Sequence, residues 1–370
     1  MSHCLFDRKY GEDMENRKNN MGTLHLLAAC FVMYGHHCAL IGKNTPIILG
    51  SFIQALGVKV IFIISDYLIT RSLYKDPDRK GKNIFAFFVK RIGRIWPELV
   101  VCLAFSAFII GPIFTDLSIS EYFGSSSILI YVIYNAGLFI TYALPGLFAN
   151  NPYPHTVNGA LWTIPVEIML YIIVLLIYIV ARNNIHRKRL FCIVTLVIIA
   201  SFLCRLLWFP TARIVIYATD WIQALNIMPY FMIGGMAYIY DIKKYLNIQM
   251  ASILIFVFGS LYFSIGIINE FFCLLILPYF ILSLSLNEKQ NLKGKWMHSE
   301  YAYGMYLYGF VIQQCIIQKL HVELAQPINE KVIFFLSLIC TYFVAMLSNK
   351  YVYRPIYMGI EKIIRRVSDL

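Results

Sequence analysis

Long apolar runs recur along the whole chain and limit its fold more than any other feature does. Most of them reach or approach the roughly 18 residues that an α-helix needs to cross a bilayer. The eleven runs lie near 22–41, 47–70, 97–114, 125–144, 161–181, 189–208, 221–240, 250–267, 269–286, 302–319 and 331–352. With 59% hydrophobic and only 14% charged residues, the composition is that of a polytopic membrane protein. The sequence therefore predicts an all-α, integral membrane helical bundle.

Positive charge is concentrated in the short segments between these runs. The 370 residues carry a formal net charge of +12, which in a soluble protein would indicate nucleic-acid binding. Lys and Arg that collect in short loops are instead typical of the cytoplasmic side of a membrane protein. We therefore expect membrane lipid as a partner and no nucleic acid. The nine Cys lack the paired spacing of a zinc site, so we expect no metal.

The loop charges also separate two topologies. If 125–144 crosses the membrane, the later basic clusters at 182–189, 243–244, 289–295 and 354–366 fall outside the cell. If it does not cross, all of them are cytoplasmic, as the positive-inside rule requires. We therefore predict about ten spans, with both termini cytoplasmic. The run 125–144 is then re-entrant or lies along the outer face, leading into the Pro/Asn/Gly-rich loop 145–160.

The alternative topology is that 125–144 spans and a later, weaker segment does not. No repeat or separate soluble domain is visible in the sequence. We therefore treat 1–370 as a single membrane domain, with 1–20 as a cytoplasmic N-terminal segment and 354–370 as a cytoplasmic tail.

Ionisable side chains inside the predicted spans mark the candidate site, because such groups at membrane depth are usually functional. His36 lies about 18–20 Å along the first span, and Glu167 about 9 Å below the outer face, so the two could share a depth. A neutral imidazole at His36 could remove the proton of a hydroxyl, with the Glu167 carboxylate supporting it. Alternatively, His36 bonds a carbonyl across helices and Glu167 interacts with a helix dipole.

Other ionisable side chains also lie within the first two predicted spans. His37 is adjacent to His36 but points about 100° away around the helix, so we expect it to matter less. Lys59, near the middle of the second span, needs a carboxylate, a carbonyl lining or a substrate, and could pair with Glu167. His25 and Asp66 lie near the cytoplasmic ends of adjacent spans and could form a pair, or could simply be interfacial polar residues in water.

Several segments together, in this order, resemble the membrane-bound acyltransferase family three, which O-acetylates polysaccharides. They are 19–29 (NNMGTLHLLAA) followed by His36, 56–58 (LGV), 64–70 (ISDYLIT), 90–97 (KRIGRIWP), 144–154 (LPGLFANNPYP), 157–167 (VNGALWTIPVE) and 303–310 (YGMYLYGF). The resemblance covers nearly the whole chain. Where the family has an Arg in the first helix this sequence has His25, and where it has a Gly after the serine of the second helix it has Asp66.

The resemblance implies a reaction as well as a fold. Members take an acyl group, usually acetyl, from a cytoplasmic acyl-CoA and place it on a sugar hydroxyl. Acetyl-CoA is thus the expected acyl donor, and a surface glycan or lipid-linked oligosaccharide the expected acceptor. The residues assigned to the site are His36 and Glu167 for catalysis, Arg91, Arg94 and His25 for the donor, and Lys59, Asn158 and Trp162 for substrate binding.

Arg91 and Arg94 are the expected contacts to the phosphates of the donor. They are three residues apart and so share one helical face, and the arginine guanidinium suits bidentate phosphate binding. The alternative for this pair is an anchor at the positive-inside surface or a contact to lipid headgroups. Two other classes of protein stay open for the whole chain: a membrane transporter or permease, and a catalytically silent membrane protein.

Overall fold

The computed structural model describes residues 19–74, 80–181, 183–261, 266–287, 292, 299–322 and 328–368. The predicted N-terminal segment, the middle of the basic loop after the second span, and Arg182 lie outside the described residues. The same holds for Lys289, Lys293 and Lys295.

Helices make up most of the described structure. The principal ones are α1 Met21–Leu40, α2 Ile53–Tyr74, α3 Lys80–Phe105, α4 Ile119–Gly124, α5 Ser127–Ala136, α6 Thr163–Val180, α7 Asn184–Trp208, α8 Met228–Ile239, α9 Ile248–Ser260, α10 Gly266–Ser285, α11 Ala302–Ile317, α12 Glu330–Ser348 and α13 Arg354–Ser368. Three π-helical turns extend or join them: Ser106–Ile110 with the following Gly111–Phe114 after α3, Gln318–Val322 after α11, and Asn349–Tyr353 between α12 and α13. Single turns occur at Trp221–Ala224, Ile242–Tyr245 and Ser299–Tyr301.

Sheet is confined, within the described residues, to two small antiparallel hairpins. They pair β1 Ile47–Ile48 with β2 Ser51–Phe52, and β3 Val215–Ile216 with β4 Thr219–Asp220. The first hairpin corrects a prediction, because the apolar run near 47–70 begins as a hairpin and becomes helical only at Ile53. Leu49 and Gly50 at its tip have φ of 53° and 73°, the left-handed pair that a tight two-residue hairpin needs.

The predicted membrane bundle is confirmed. In the described part of the chain, eight helical segments are long and apolar enough to cross a membrane. The two other predicted spans, near 250–267 and 302–319, correspond to the shorter helices α9 and α11. Large apolar side chains such as Phe256 of α9 and Ile339 of α12 are exposed on the outside of the bundle, where a bilayer would cover them.

The run 125–144 does not form one long helix. Its helix α5 has ten residues, about 15 Å of rise, which is half the thickness of a hydrocarbon core. That the run is re-entrant or lies along the outer face stays a prediction. The loop that follows is tied into the bundle by Gln314 of α11, whose Nε2 donates to the carbonyls of Tyr153 (2.8 Å) and Thr156 (2.9 Å). The Nδ2 of Asn151 donates to the Oε1 of Gln314 at 2.7 Å.

One predicted boundary is wrong. The sequence predicts the third span near 97–114, but α3 begins at Lys80 and continues through Pro97, so the helix that carries Arg91 and Arg94 is continuous with that span. Both arginine side chains line an internal cavity. In the segment expected as a cytoplasmic tail, Arg354–Ser368 form helix α13, and the cytoplasmic location stays a prediction. Its Ile360 packs on Gly93 of α3, where a β-carbon would collide with the isoleucine.

Candidate active site

An elongated cavity of about 480 Å³ lies inside the bundle, and α2 forms one of its walls. The α2 residues that line it extend from Val58 to Ser72, which is about 21 Å along the helix axis. We refer to this space as the α2 channel. The lining residues of α2 follow one helical face: Val58, Ile61, Phe62, Ser65, Leu68, Arg71 and Ser72. A cavity of this shape suits a long, narrow ligand.

Arg91 lines the α2 channel from α3. Its guanidinium carbon lies 5.8 Å from the ring centre of Phe87 and 5.6 Å from that of Tyr171. Both distances are within the range of cation–π attraction. The buried Nε atom has no hydrogen-bond partner among the described residues. Arg91 therefore keeps an unused donor beside the channel.

Arg94 lies three residues further along α3 and also lines the channel. Its guanidinium carbon is 5.5 Å from the ring centre of Tyr303 and 5.2 Å from that of Tyr353. The Tyr303 hydroxyl donates to the carbonyl of Ile95 at 3.2 Å, which fixes that ring. Two aromatic rings thus hold the Arg94 side chain in the channel wall.

Glu167 lines the same channel from α6. The hydroxyl of Tyr171, one helical turn later, donates a hydrogen bond to the Glu167 carboxylate. The helix that carries both begins at Thr163, and Pro165 occupies its first turn, where the missing N–H costs nothing. Glu167 therefore shares the cavity with Arg91 and Arg94.

His25 lies in the channel wall on α1. Its Nε2 is 3.3 Å from the carbonyl oxygen of Ile61, which accepts the hydrogen bond. The predicted pair with Asp66 is not formed. Asp66 is fully buried and accepts a 2.9 Å hydrogen bond from Thr70, because its carboxylate occupies the space left by Gly235 of α8, where a β-carbon would collide with it.

Lys59 is away from the channel lining and has its own carboxylate. Its Nζ lies 2.8 Å from Glu270 Oε2 and donates to the Ser51 hydroxyl at 2.7 Å. It also lies 4.8 Å from the ring centre of Tyr230. The predicted pairing with Glu167 is therefore wrong, because the β1–β2 hairpin and α10 supply nearer partners.

His36 lies beyond the end of the channel lining. Its ring packs edge-on against Phe310 of α11 at 5.2 Å between ring centres. A β-carbon on the preceding Gly35 would touch Gln54 of α2, so His36 lies close to the level of Gln54. That residue is one turn, or about 6 Å, past Val58, where the channel lining ends. The half-buried His36 ring has no hydrogen-bond partner among the described residues.

The neighbouring His37 has a different environment. It is 3% exposed, and its Nε2 lies 3.1 Å from the carbonyl oxygen of Glu330, which accepts the hydrogen bond. Its ring also lies 5.4 Å from that of Phe334. These contacts bind His37 to the start of α12, on another side of α1 from Phe310.

Asn158 and Trp162 lie in the segment before α6, and neither lines the channel. The Asn158 amide is buried and satisfied inside the protein: its Nδ2 donates to the Leu307 carbonyl at 2.8 Å, and its Oδ1 accepts from the Ala160 N–H at 3.1 Å. Trp162 is half-buried against the main apolar core. The Asn158 hydrogen bond holds the segment in front of α6 against α11.

The charges of the channel favour an anionic ligand. Its lining includes four cationic side chains, from Arg71, Lys90, Arg91 and Arg94, and two carboxylates, from Glu167 and Glu300. The formal balance is therefore 4 − 2, or two positive charges, in an enclosed space where charge interactions are strong.

Sequence reasoning did not identify the aromatic part of this lining. Five tyrosines contribute to it: Tyr171, Tyr303, Tyr306, Tyr353 and Tyr357. Tyr303 and Tyr306 lie in the 303–310 segment, which is one of the segments that resemble the acyltransferase family. Tyr353 and Tyr357 follow the last apolar run, and no pattern in the sequence places them beside Arg94.

Comparison with known proteins identifies the family of the chain. Residues 23–350 match the family described as an acyltransferase domain. The chain is 28% identical to an O-acetyl transferase of Shigella phage Sf6 over 311 residues, which is 83% of this chain and 88% of that protein. It is also 27% identical to nodulation protein 10 of Rhizobium leguminosarum bv. viciae, over 44% of each chain.

An uncharacterized protein of Haemophilus influenzae is 28% identical over 38% of this chain and 55% of its own length. No solved structure matches the chain. The family match extends from α1 to the end of α12 and thus includes His25, His36, Arg91, Arg94 and Glu167. On that match this multi-pass helical membrane protein belongs to the acyltransferase family.

Proposed function

We propose that the protein transfers an acyl group from acyl-CoA to a hydroxyl of a surface polysaccharide or its lipid-linked precursor. The acyl group proposed is acetyl. The observation that carries this proposal is the α2 channel. It is long and positively charged, and it ends about one helical turn from the level of His36. The name of the phage relative, an O-acetyl transferase, supports acetyl as the group and oxygen as the acceptor atom.

The donor is proposed to lie along α2. Its phosphates contact Arg91 and Arg94, and the narrow pantetheine arm extends toward Val58 and carries the thioester to the end of the channel. Bidentate contacts from guanidinium groups are strong when water is excluded. His25, on the facing helix α1, contacts the donor from the other wall. This arrangement puts the acyl carbon, rather than the nucleotide, near His36.

His36 is proposed as the general base. Its imidazole takes the proton of the acceptor hydroxyl, the hydroxyl oxygen forms a bond to the acyl carbon, and the carbon–sulfur bond breaks. The proton then passes to the CoA thiolate, so the products are an ester and CoA–SH. The edge of Phe310 holds the ring, and the ring nitrogens have no hydrogen-bond partner among the described residues. A base must have such a free nitrogen.

Glu167 is proposed to act at the wall of the channel. Its carboxylate and the Tyr171 hydroxyl lie near Arg91 and would orient that guanidinium toward the donor phosphates. Lys59, Asn158 and Trp162 are proposed to act on the acceptor side by holding the surrounding backbone. Lys59 does so through the β1–β2 hairpin and α10, and Asn158 through α11.

The orientation follows from the loop charges. We propose a bacterial inner-membrane protein with both termini cytoplasmic and the Arg71 end of the channel open to cytoplasmic acyl-CoA. The acceptor would then approach His36 from the opposite side, along the segment that Gln314 and Asn158 tie to the bundle.

The direct test is transfer of radioactive acetyl from acetyl-CoA to membrane glycan, in membranes with and without the protein. Arg91→Ala with Arg94→Ala is expected to raise the acetyl-CoA concentration for half-maximal transfer. The matched control is Lys188→Ala with Arg189→Ala, an adjacent basic pair outside the channel lining, which should leave transfer unchanged. Absence of labelled glycan with folded wild-type protein would contradict the proposal and favour a permease or a catalytically silent protein.

A further inference from the structure

The junction between α12 and α13 is a π-helical turn, Asn349–Tyr353. A π turn adds one residue to a helical turn, and it occurs often at functional sites. The turn lies on the path of one continuous helical segment, Glu330–Ile364, and it shifts every later side chain around the axis. Tyr353, its last residue, is 7% exposed and faces the α2 channel.

Side chains from two other elements hold this turn. Just before the turn, the Ser348 hydroxyl donates to the buried Glu98 carboxylate of α3 at 3.0 Å. Inside the turn, the Asn349 Nδ2 donates to the Glu300 carbonyl at 3.3 Å. Just after the turn, Arg354 forms an ion pair with the Glu300 carboxylate, with Nη2 to Oε2 at 2.7 Å.

The π turn places the aromatic ring of Tyr353 beside Arg94. The Tyr353 ring centre is 5.2 Å from the guanidinium carbon, and Tyr303 of α11 contributes the second ring at 5.5 Å. The carboxylate of Glu98, one turn further along α3, attracts the Arg94 guanidinium electrostatically. Arg94 is a long side chain with several rotatable bonds, so holding it before the ligand arrives lowers the entropy cost of binding.

We infer that Tyr353 is a positioning residue: the π turn sets its ring against Arg94 so that the guanidinium faces the donor phosphates. The inference rests on the proposed function, since it assumes that Arg94 binds a phosphate of acyl-CoA. It adds to that proposal a residue that lies outside the family match, which ends at 350. The role differs from simple packing, because packing would affect the whole fold and not phosphate binding in particular.

The test is calorimetric titration of the purified full-length protein with CoA and, separately, with pantetheine, which has no phosphate. Tyr353→Leu removes the ring, and we expect CoA affinity to fall by about 2- to 30-fold, the range of a cation–π contact. Pantetheine affinity should stay the same. The matched control is Tyr351→Leu in the same π turn, since Tyr351 is 65% exposed and should affect neither ligand.

A double-mutant cycle separates positioning from a direct contact or a folding effect. In an Arg94→Ala background, Tyr353→Leu should change CoA affinity by less than about twofold, because its target is gone. An equal loss in both backgrounds would overturn the inference, as would equal losses for CoA and pantetheine.

Tyr353→Phe keeps the ring and serves if the leucine variant does not fold. It should bind CoA less tightly than the wild type and more tightly than Tyr353→Leu, since it keeps the cation–π attraction of the ring and loses the hydroxyl that hydrogen-bonds Arg94. If Tyr353→Phe lost as much CoA affinity as Arg94→Ala does, a role for the Tyr353 ring would be overturned. If the wild-type protein binds no CoA at all, the donor assignment itself fails and this inference fails with it. Normal CoA binding by the wild type, together with additive effects in the double-mutant cycle, refutes this inference and leaves the donor assignment standing.

Discussion

The Nζ atom of Lys59 lies 2.8 Å from the Oε2 atom of Glu270, and this ion pair joins α2 to α10 inside the bundle. The lysine side chain is 2% exposed and the glutamate side chain 22%. The Ser51 hydroxyl, on the hairpin between α1 and α2, donates to the same carboxylate at 3.1 Å. A residue predicted from its depth to bind substrate therefore connects three elements of the fold.

Glu270→Leu should destabilise the protein, because it leaves the Lys59 ammonium without its carboxylate. Removing one partner of a buried pair costs about 3–5 kcal/mol, and the partial exposure of Glu270 places the expected cost near the lower end. Thermal unfolding in detergent measures the change. Glu270→Leu with Lys59→Met should recover most of the loss, since an apolar pair of similar volume is often neutral. A double variant less stable than the single one would contradict this account.

Replacing each of the three α1 histidines with Gln should separate their roles. Gln keeps a hydrogen bond but cannot take a proton, so His36→Gln should lower acetyl transfer by about 10²–10⁴-fold. His37→Gln should lose little, because its ring already bonds the Glu330 carbonyl. His25→Gln should mainly change the acetyl-CoA dependence. The assay is label transfer to glycan, normalised to folded protein, and near-normal transfer by His36→Gln would move the base to another residue.

Gly57→Ala should weaken the contact between α1 and α2. A β-carbon there would lie 2.6 Å from the Ala28 carbonyl oxygen and 3.1 Å from the Val32 backbone nitrogen, so the helices must separate. Overpacking of this kind typically costs about 1–3 kcal/mol. The control is Gly359→Ala in α13, where nothing lies within 4 Å of the added carbon and helix propensity favours Ala. A thermal midpoint unchanged by Gly57→Ala would count against this close packing.

Gln314→Leu should release the segment between α5 and α6. Its Nε2 donates to the Tyr153 and Thr156 carbonyls, and its Oε1 accepts from Asn151; a buried group left unpaired costs about 1–3 kcal/mol. The expected result is faster protease cleavage near 150–156 in membrane vesicles, with reduced transfer. Gln313→Leu, which loses one bond to the Met33 carbonyl, is the milder comparison. Equal protection from protease in the Gln314→Leu and Gln313→Leu variants would contradict the proposal that Gln314 holds this segment in place.

The predicted topology can be tested with fused reporters. A reporter after Asn184 should behave as cytoplasmic and one after Pro154 as external, because the loop charges favour that arrangement. Finding both on the same side would reject the ten-span topology in which 125–144 does not cross.

The sequence by itself determined the class of the protein. Apolar length and loop charge are local properties, so they were sufficient to predict an all-α membrane bundle, in which eight helices of the described residues are long and apolar enough to cross a membrane. That about ten helices span and that 125–144 does not cross stay predictions. The ordered segments that include His36 and Arg91/Arg94 were sufficient for the acyltransferase family. Spacing along one helix also placed Arg91 and Arg94 on one face, and both do line a single cavity.

Only the tertiary structure decided which groups meet. Lys59 pairs with Glu270, more than 200 residues away, and not with Glu167. Asp66 is buried beside Gly235 and not beside His25. A π turn places Tyr353 beside Arg94, and no periodicity in the sequence predicts that turn. The physical reason is common to all three: depth in a membrane follows from counting residues along one helix, but the partner of a buried charge depends on how separate helices pack and rotate against each other.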